Sequence, residues 1–449
     1  MINAAPSLVQ PPAVGKMRAL KLPPFAARTL KSGLHVVVAR KPGIPLVEAR
    51  VAVPLCRGGD SGDPARRRVM ANSLLAGTSR RSALQIAEDL QSMGASLDVG
   101  ADADDLSLSG SVLSTQISPF LDLLAEVIIS PAFPDNDVSI ERERTAQEVM
   151  LIRSQPGGLA QIALAKRLFG RHPYGAALPT PEVVMKVTTS QLKAFHKERV
   201  LPKGSVLVLV GDISPQRGLD LVEQAFGDWK GRGAAVGLPP VADLKSGPVQ
   251  LIHRDGSVQS TMRVARFGVT PQSDDFARLL VANLIFGGYF AARLSDNIRE
   301  DKGYTYGIGS ALQANRFAAL LAIGTDVATD VTVPTLVELH YEMGRMVALP
   351  PKPEELESAK KYQAGTLAMS VNTQAYLASQ LLGILKRGQP FEFLRDLPKL
   401  VEQVKGEDVQ EISERFLAPP AFATVIVGDA NAVLPRLEPY MPVKVIEAG

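Results

Sequence analysis

Two side chains late in the chain can donate hydrogen bonds to an oxygen that gathers negative charge. They are Arg299 and Tyr306, seven positions apart in Arg299-Glu300-Asp301-Lys302-Gly303-Tyr304-Thr305-Tyr306. A guanidinium offers a planar fork of N–H donors and a phenol offers one hydroxyl, so the pair could hold a carbonyl or steady an oxyanion. The plainer reading makes Arg299 half of a surface ion pair with Glu300 or Asp301, and Tyr306 a strand residue of the core. Upstream, Gly287 and Gly288 interrupt the apolar run Asn283–Leu294. Glycines there would let backbone approach a ligand or take positive φ. Phosphate suits them poorly, because no Lys-Ser/Thr follows to complete a P-loop.

Metal chemistry has little to work with. The five histidines, His35, His172, His196, His253 and His340, include no close pair, and Cys56 is the single cysteine. No Cys₄ or Cys₂His₂ cluster can form within the chain, nor any internal disulfide. The redox compartment is left open.

The elements that must position these residues repeat. Ser205-Val206-Leu207-Val208-Leu209-Val210-Gly211-Asp212 closes a first half, and Ala423-Thr424-Val425-Ile426-Val427-Gly428-Asp429 closes a second. Their Gly-Asp ends lie 217 residues apart, and the opening strands at Gly33 and Gly247 are offset by 214. Each closing strand follows a helix, Ser190 to Glu198 or Asp408 to Phe416. Ser82 is read as the cap of a helix carrying Ile86, Leu90 and Met93 on one face and stopped by Gly94. Alternation of Leu106, Leu108, Gly110 and Val112 predicts a strand, and Ser118-Pro119 opens a helix bearing Leu121, Leu124 and Ile128. Long helical patterns occupy about Glu354 to Met369 and Thr373 to Lys386. Strands and helices segregated in this way predict two α+β lobes rather than a doubly wound parallel sheet.

Length and composition suit a large globular protein. For 449 residues the expectation is about two to four domains. A hydrophobic fraction of 46% and a charged fraction of 21% are ordinary. A net charge of +3 is too small to argue for nucleic acid or a membrane surface. No apolar run approaches the roughly 20 residues a spanning helix needs. The expected division is a flexible N-terminal segment (1–22), a first domain (23–230), a Gly/Pro/Ala linker (231–247) and a second domain (248–449).

The Arg299–Tyr306 segment and the glycine stretch before it resemble the C-terminal substrate-binding signature of pitrilysin/insulinase-type zinc metallopeptidases, the inverzincins. The resemblance implies two homologous lobes of mixed sheet and helices forming half of a clamshell, with Arg299 and Tyr306 holding substrate over a zinc site in another domain. It also implies a His-x-x-Glu-His helix, which is absent. Ser73-Leu74-Leu75-Ala76-Gly77-Thr78 resembles the stretch that follows that helix. Counting back, the ligand positions fall on Arg68, Ala71 and Asn72. Residues at i, i+3 and i+4 share a helix face, so an intact motif aims its donors at one point. Arg has no lone pair to give, and its charge repels a divalent cation. The family's later zinc-ligand Glu falls on Glu148, 76 positions past Asn72 and on the same helix face as Glu141. A charged, solvated helix is the plainer account, with Glu148 a relic. His172-Pro173-Tyr174-Gly175 resembles a structural turn of the family.

The resemblance therefore implies a catalytically incomplete subunit with no cofactor of its own. It would work as a heterodimer with a homologous zinc-bearing peptidase subunit on peptide substrates. In related mitochondrial processing peptidases the subunit without the zinc motif contributes a glycine-rich loop to substrate handling, a role that would fall on Gly287 and Gly288. A scaffold like the respiratory core proteins, a peptide-binding protein without a catalytic partner, and hydrolysis through an unrecognised site are the alternatives. An Ala/Pro/Val-rich start without signal-peptide order fits the beginning of a mature periplasmic chain or a cytosolic leader; export is the expectation.

Overall fold

A computed structural model describes residues 21–447 except 61, 177 and 245. The expected N-terminal segment over 1–22 thus lies, but for its last two residues, outside the described residues. In chain order, β1 (Phe25–Thr29), β2 (His35–Arg40) and β3 (Leu46–Pro54) lead to α1 (Pro64–Asn72) and α2 (Ala83–Ser92). Next come β4 (Ser96–Ala101), β5 (Asp105–Leu113), α3 (Ile117–Ile129), α4 (Asp135–Ser154) and α5 (Pro156–Phe169). The first lobe ends with α6 (Pro181–Met185), α7 (Thr189–Arg199), β6 (Val206–Gly211) and α8 (Pro215–Phe226).

The second lobe opens with β7 (Val249–His253), β8 (Gln259–Phe267) and α9 (Phe276–Asn283), then two π-helical segments, Leu284–Gly288 and Ser295–Asp301. It continues through β9 (Ile308–Ala314), β10 (Ala319–Ala328), α10 (Thr332–Ala348), α11 (Pro353–Ser370) and α12 (Gln374–Leu385). It closes with α13 (Phe393–Gln403), α14 (Gly406–Phe416), β11 (Ala423–Gly428), α15 (Ala430–Leu437) and β12 (Val443–Glu447).

Each lobe holds one mixed six-stranded sheet, in the orders β1-β2-β6-β3-β5-β4 and β12-β7-β11-β8-β10-β9. The internal repeat is plain in the pairing. β2 runs parallel to β6 with Val38 opposite Leu209, and β7 runs parallel to β11 with Ile252 opposite Val427. The lobes differ at one outer strand: β1 lies antiparallel to β2, whereas β12 lies parallel to β7.

Both sheets are covered on two faces, which is why their central strands read as unbroken apolar runs. On β6, Leu207 and Leu209 face the first lobe's own core, while Val206, Val208 and Val210 face Leu377, Ala378 and Leu381 of α12 from the second lobe. Reciprocally, Ala160, Leu164 and Leu168 of α5 pack on Ala265, Ala423 and Val425 of the second sheet. The lobes are interlocked by an exchange of helices. Buried Asp105 adds a polar tie, pairing with Arg316 at 2.5 Å and Lys386 at 3.1 Å.

Local chemistry explains the helix ends. Ser82 caps α2 in a reciprocal capping box with Gln85, Thr188 does the same with Gln191 for α7, and Gly94 follows α2 with φ +58°. Among the described residues no helix is long and apolar enough to cross a membrane.

Candidate functional site

A cleft of about 760 Å³ lies between α5 and the second lobe. Gly287, Gly288, Arg299 and Tyr306 all line it. Its volume is within the range of ligand sites, roughly 300–1,000 Å³. One wall is the edge strand β9 with β10 behind it, and the other includes Gln161 and Leu164 of α5.

The glycines act through close packing. Neither takes a positive φ, contrary to one of the two roles expected of them. A Cβ at Gly287 would lie 2.6 Å from Leu294 Cδ1 and 3.0 Å from the backbone nitrogen of Ser310, so the segment can sit against β9 only without a side chain. A Cβ at Gly288 would meet the Asn283 carbonyl at 3.0 Å. The π-helical winding of Leu284–Gly288 is of a kind often found beside functional sites.

Arg299 stands on the second π-helical segment. Its guanidinium carbon lies 4.3 Å from the centre of the Phe290 ring, and Nη1 lies 3.1 Å from Glu300 Oε1. The ion pair anticipated as the plain reading is therefore present, alongside a place in the cleft wall. The segment is held from behind. Arg293, nearly buried, makes a forked bond to Glu355 at 2.8 and 2.9 Å, and Asn297 Nδ2 reaches Glu338 at 3.0 Å and buried Glu342 at 2.9 Å. Burial would raise the Glu355 pKa, but the hydrogen bond and charge of Arg293 hold it below the usual value.

Tyr306 is neither in a strand nor in the core: its side chain is fully exposed. The plainer reading, a core strand position, fails because of the turn that carries it. Thr305 Oγ1 donates to the Asp326 carbonyl at 2.8 Å and accepts from Gly307 N–H and the Thr325 hydroxyl at 3.1 and 3.0 Å. Those bonds fix the backbone on β10 and leave the phenol to project. Arg263 nearby is occupied by the Met262 and Thr325 carbonyls at 2.8 and 3.1 Å, with Asp326 at 3.6 Å.

Arg68, Ala71 and Asn72 lie on or end α1, which is capped by Asp63 and begins with Pro64. None suits zinc: Ala71 has no donor, Arg68 is a cation, and the Asn72 amide donates to Thr145 Oγ1 at 2.8 Å. Thr145 in turn donates to the Glu141 carbonyl of its own helix at 2.6 Å, so it is the hydrogen bond from Asn72 that joins α1 to α4. Glu148, half-exposed, pairs with exposed Arg144 at 3.5 Å, and Arg144 reaches Glu141 at 3.9 Å, as a solvated helix face would.

Among the described residues, a single group, His253, Asp255 and Asp429, brings potential ligand atoms within 4.8 Å of one another. Its donors serve the fold: His253 Nδ1 accepts from Ala430 N–H at 3.0 Å, and Asp429 accepts from Asn431 and Gly256 at 2.9 and 3.3 Å. His172 is structural as anticipated, with its ring nitrogens engaged by the Pro239 carbonyl at 3.0 Å and Tyr174 N–H at 3.2 Å.

Sequence reasoning missed Phe290, Thr305, Gln161 and Arg263. The first two adjoin the singled-out residues and could have been found. Gln161 reaches the cleft only through the helix exchange and Arg263 only through the pairing of β8 with β10, for which no short-range pattern speaks.

Comparison with known proteins bears on the family and the fold. Residues 70–182 match the family model described as insulinase (peptidase family M16), and residues 186–362 match the peptidase M16 inactive domain. An uncharacterized zinc protease of Mycobacterium leprae is 26% identical over 63% of this chain and 65% of its own length. The uncharacterized zinc protease YmxG of Bacillus subtilis is 22% identical over 77% of this chain and 84% of its own. The crystal structure of a peptidase M16 inactive domain from Pseudomonas fluorescens superposes with TM-score 0.84 at 24% identity, covering 90% of this chain and 98% of that one. A protease from Helicobacter pylori gives 0.80 at 17% identity over 91% and 100%.

Proposed function

Because the chain belongs to the pitrilysin/insulinase-type peptidase family, M16, we propose that it is the substrate-holding, catalytically incomplete subunit of a two-chain zinc endopeptidase. One observation carries the reading. The cleft gathers Gly287, Gly288, Arg299 and Tyr306, while Arg68, Ala71 and Asn72 offer no zinc-ligand set.

In this proposal the zinc belongs to a homologous partner and supplies the activated water there. This chain contributes donors. The projecting Tyr306 hydroxyl serves the oxygen that becomes negative as the peptide carbonyl is attacked. The Arg299 fork holds a neighbouring backbone carbonyl of the substrate. Its bond to Glu300 is no obstacle, because a partly exposed ion pair is worth only about 0–1 kcal/mol and opens readily. The Phe290 ring keeps the guanidinium in place meanwhile.

The test is reconstitution. Mixed with a zinc-bearing relative from the same genome, the chain is expected to form a one-to-one complex near twice 48.0 kDa and to raise peptide hydrolysis above that of either protein alone. A relative that is fully active by itself and unaffected by this chain overturns the proposal.

A further inference from the structure

We propose that a second pocket, enclosed by α9, α11, α12 and α13, binds a short amphipathic carboxylate through Arg387. The pocket measures about 190 Å³ and shares no lining residue with the larger cleft. Phe276, Leu367, Phe393 and Leu394 make its apolar walls, and Arg387, Gln363 and Gln380 present polar groups to it. Apolar walls with a few convergent polar groups are the usual construction of a small-molecule site.

Arg387 is the distinguishing feature. Its Nε is buried without a hydrogen-bond partner, and among the described residues its guanidinium forms no ion pair. The nearby acid, Asp105, is already shared by Arg316 and Lys386 at 2.5 and 3.1 Å. The guanidinium is partly buried with no counter-ion of its own, and burial together with Arg316 pulls its pKa down. A carboxylate entering the pocket would supply two acceptors and one negative charge while its tail replaces water on the apolar walls. The volume is a little above the roughly 150 Å³ that admits benzene in a protein interior, so one ring or a short chain fits and a long-chain lipid does not.

Calorimetric titration of the full chain with hexanoate and benzoate, against hexanamide as the uncharged isostere, tests the assignment. One carboxylate per chain is expected, with hexanamide weaker by about tenfold or more, the usual value of a charge-assisted bond. Arg387→Gln is expected to cost a similar factor. Ser370→Leu, which fills the pocket from α11 and keeps the cation, should also abolish binding. Melting curves show whether each variant folds. Should Arg387→Gln fail to fold, the comparison of hexanoate with hexanamide on the native chain and the Ser370→Leu result still decide. No carboxylate binding at millimolar concentration, equal binding of hexanamide, or undiminished binding by Ser370→Leu each overturns the proposal.

Discussion

Substituting Gly287 by Ala tests whether the cleft wall depends on close backbone packing. The added methyl would lie 2.6 Å from Leu294 Cδ1, 2.8 Å from Ser310 Oγ and 3.0 Å from the Ser310 backbone nitrogen. Leu294 is wholly buried and cannot swing outward, and the Ser310 nitrogen belongs to β9, so the π-helical segment itself must move. Overpacking of this kind costs about 1–3 kcal/mol. Because φ at Gly287 is not positive, Ala also recovers the usual entropic advantage over Gly, about 0.5–1 kcal/mol. The net expectation is a destabilisation of up to about 2.5 kcal/mol. It should appear as a lower urea midpoint with an unchanged m-value. Gly307→Ala is the control: it adjoins Tyr306, takes no positive φ, and its added Cβ meets nothing within 4 Å. A Gly287→Ala midpoint equal to that of Gly307→Ala would refute the argument that only glycine fits against β9.

Three further outcomes are expected. Elemental analysis of the purified chain after dialysis should find no stoichiometric zinc, and one tightly held zinc per chain would show that α1 and α4 bind metal in spite of Arg68, Ala71 and Asn72. In the reconstituted complex, Tyr306→Phe should leave assembly intact and lower kcat by on the order of 10²–10³, the usual loss for one oxyanion donor; unchanged kcat and KM would remove Tyr306 from the mechanism. Burial holds the His196 pKa below 6.5 although its ring bonds to the Ile128 carbonyl at 2.8 Å. The folded state therefore takes up fewer protons than the unfolded one, so this stabilisation is complete above pH 6.5 and is lost as pH falls through that value. The urea midpoint should decline accordingly and less so in His196→Gln; identical pH profiles for the two chains would contradict it.

Much of the fold could be read from the chain because its signals are local. Val36-Val37-Val38 and Val206–Val210 are strands buried on both faces, and unbroken apolar runs announce that. Ser82 with Gln85 is a capping box four residues long, and Gly94 ends α2 for the ordinary left-handed reason. What covers the outer face of each sheet was not legible. The stripe Ala160, Leu164, Leu168 requires an apolar partner, but nothing in its spacing says that the partner is the other lobe's sheet. The cleft shows the same division. Arg299 and Tyr306 were visible as donors at a set spacing, yet the structure makes one stack on Phe290 and the other stand free. The role of Gly287 depends on β9, 20 or more positions later, so a close approach could not be told from a positive φ until both were in place.

The two candidate sites in this chain rest on opposite physical footings. Around α1 and α4, Ala71 and Asn72 each have a structural use. Val69, Met70 and Ala71 face a core that also takes Ala146 and Val149, and the Asn72–Thr145 hydrogen bond joins the helices. A hydrogen bond contributes about 0.5–1.5 kcal/mol, modest beside that apolar burial, so the helix pair stands on packing and needs no ion to persist. Tyr306 is the reverse case. Its phenol touches no core and is fully exposed, so the fold gains almost nothing from it. The Thr305 bonds to β10 nevertheless hold its backbone firmly. A rigid mount beneath an aromatic side chain that the fold does not use makes sense if something outside the chain uses it. That separation is also what makes Tyr306→Phe informative: the change should leave the urea midpoint where it was, and any loss of turnover then belongs to the hydroxyl.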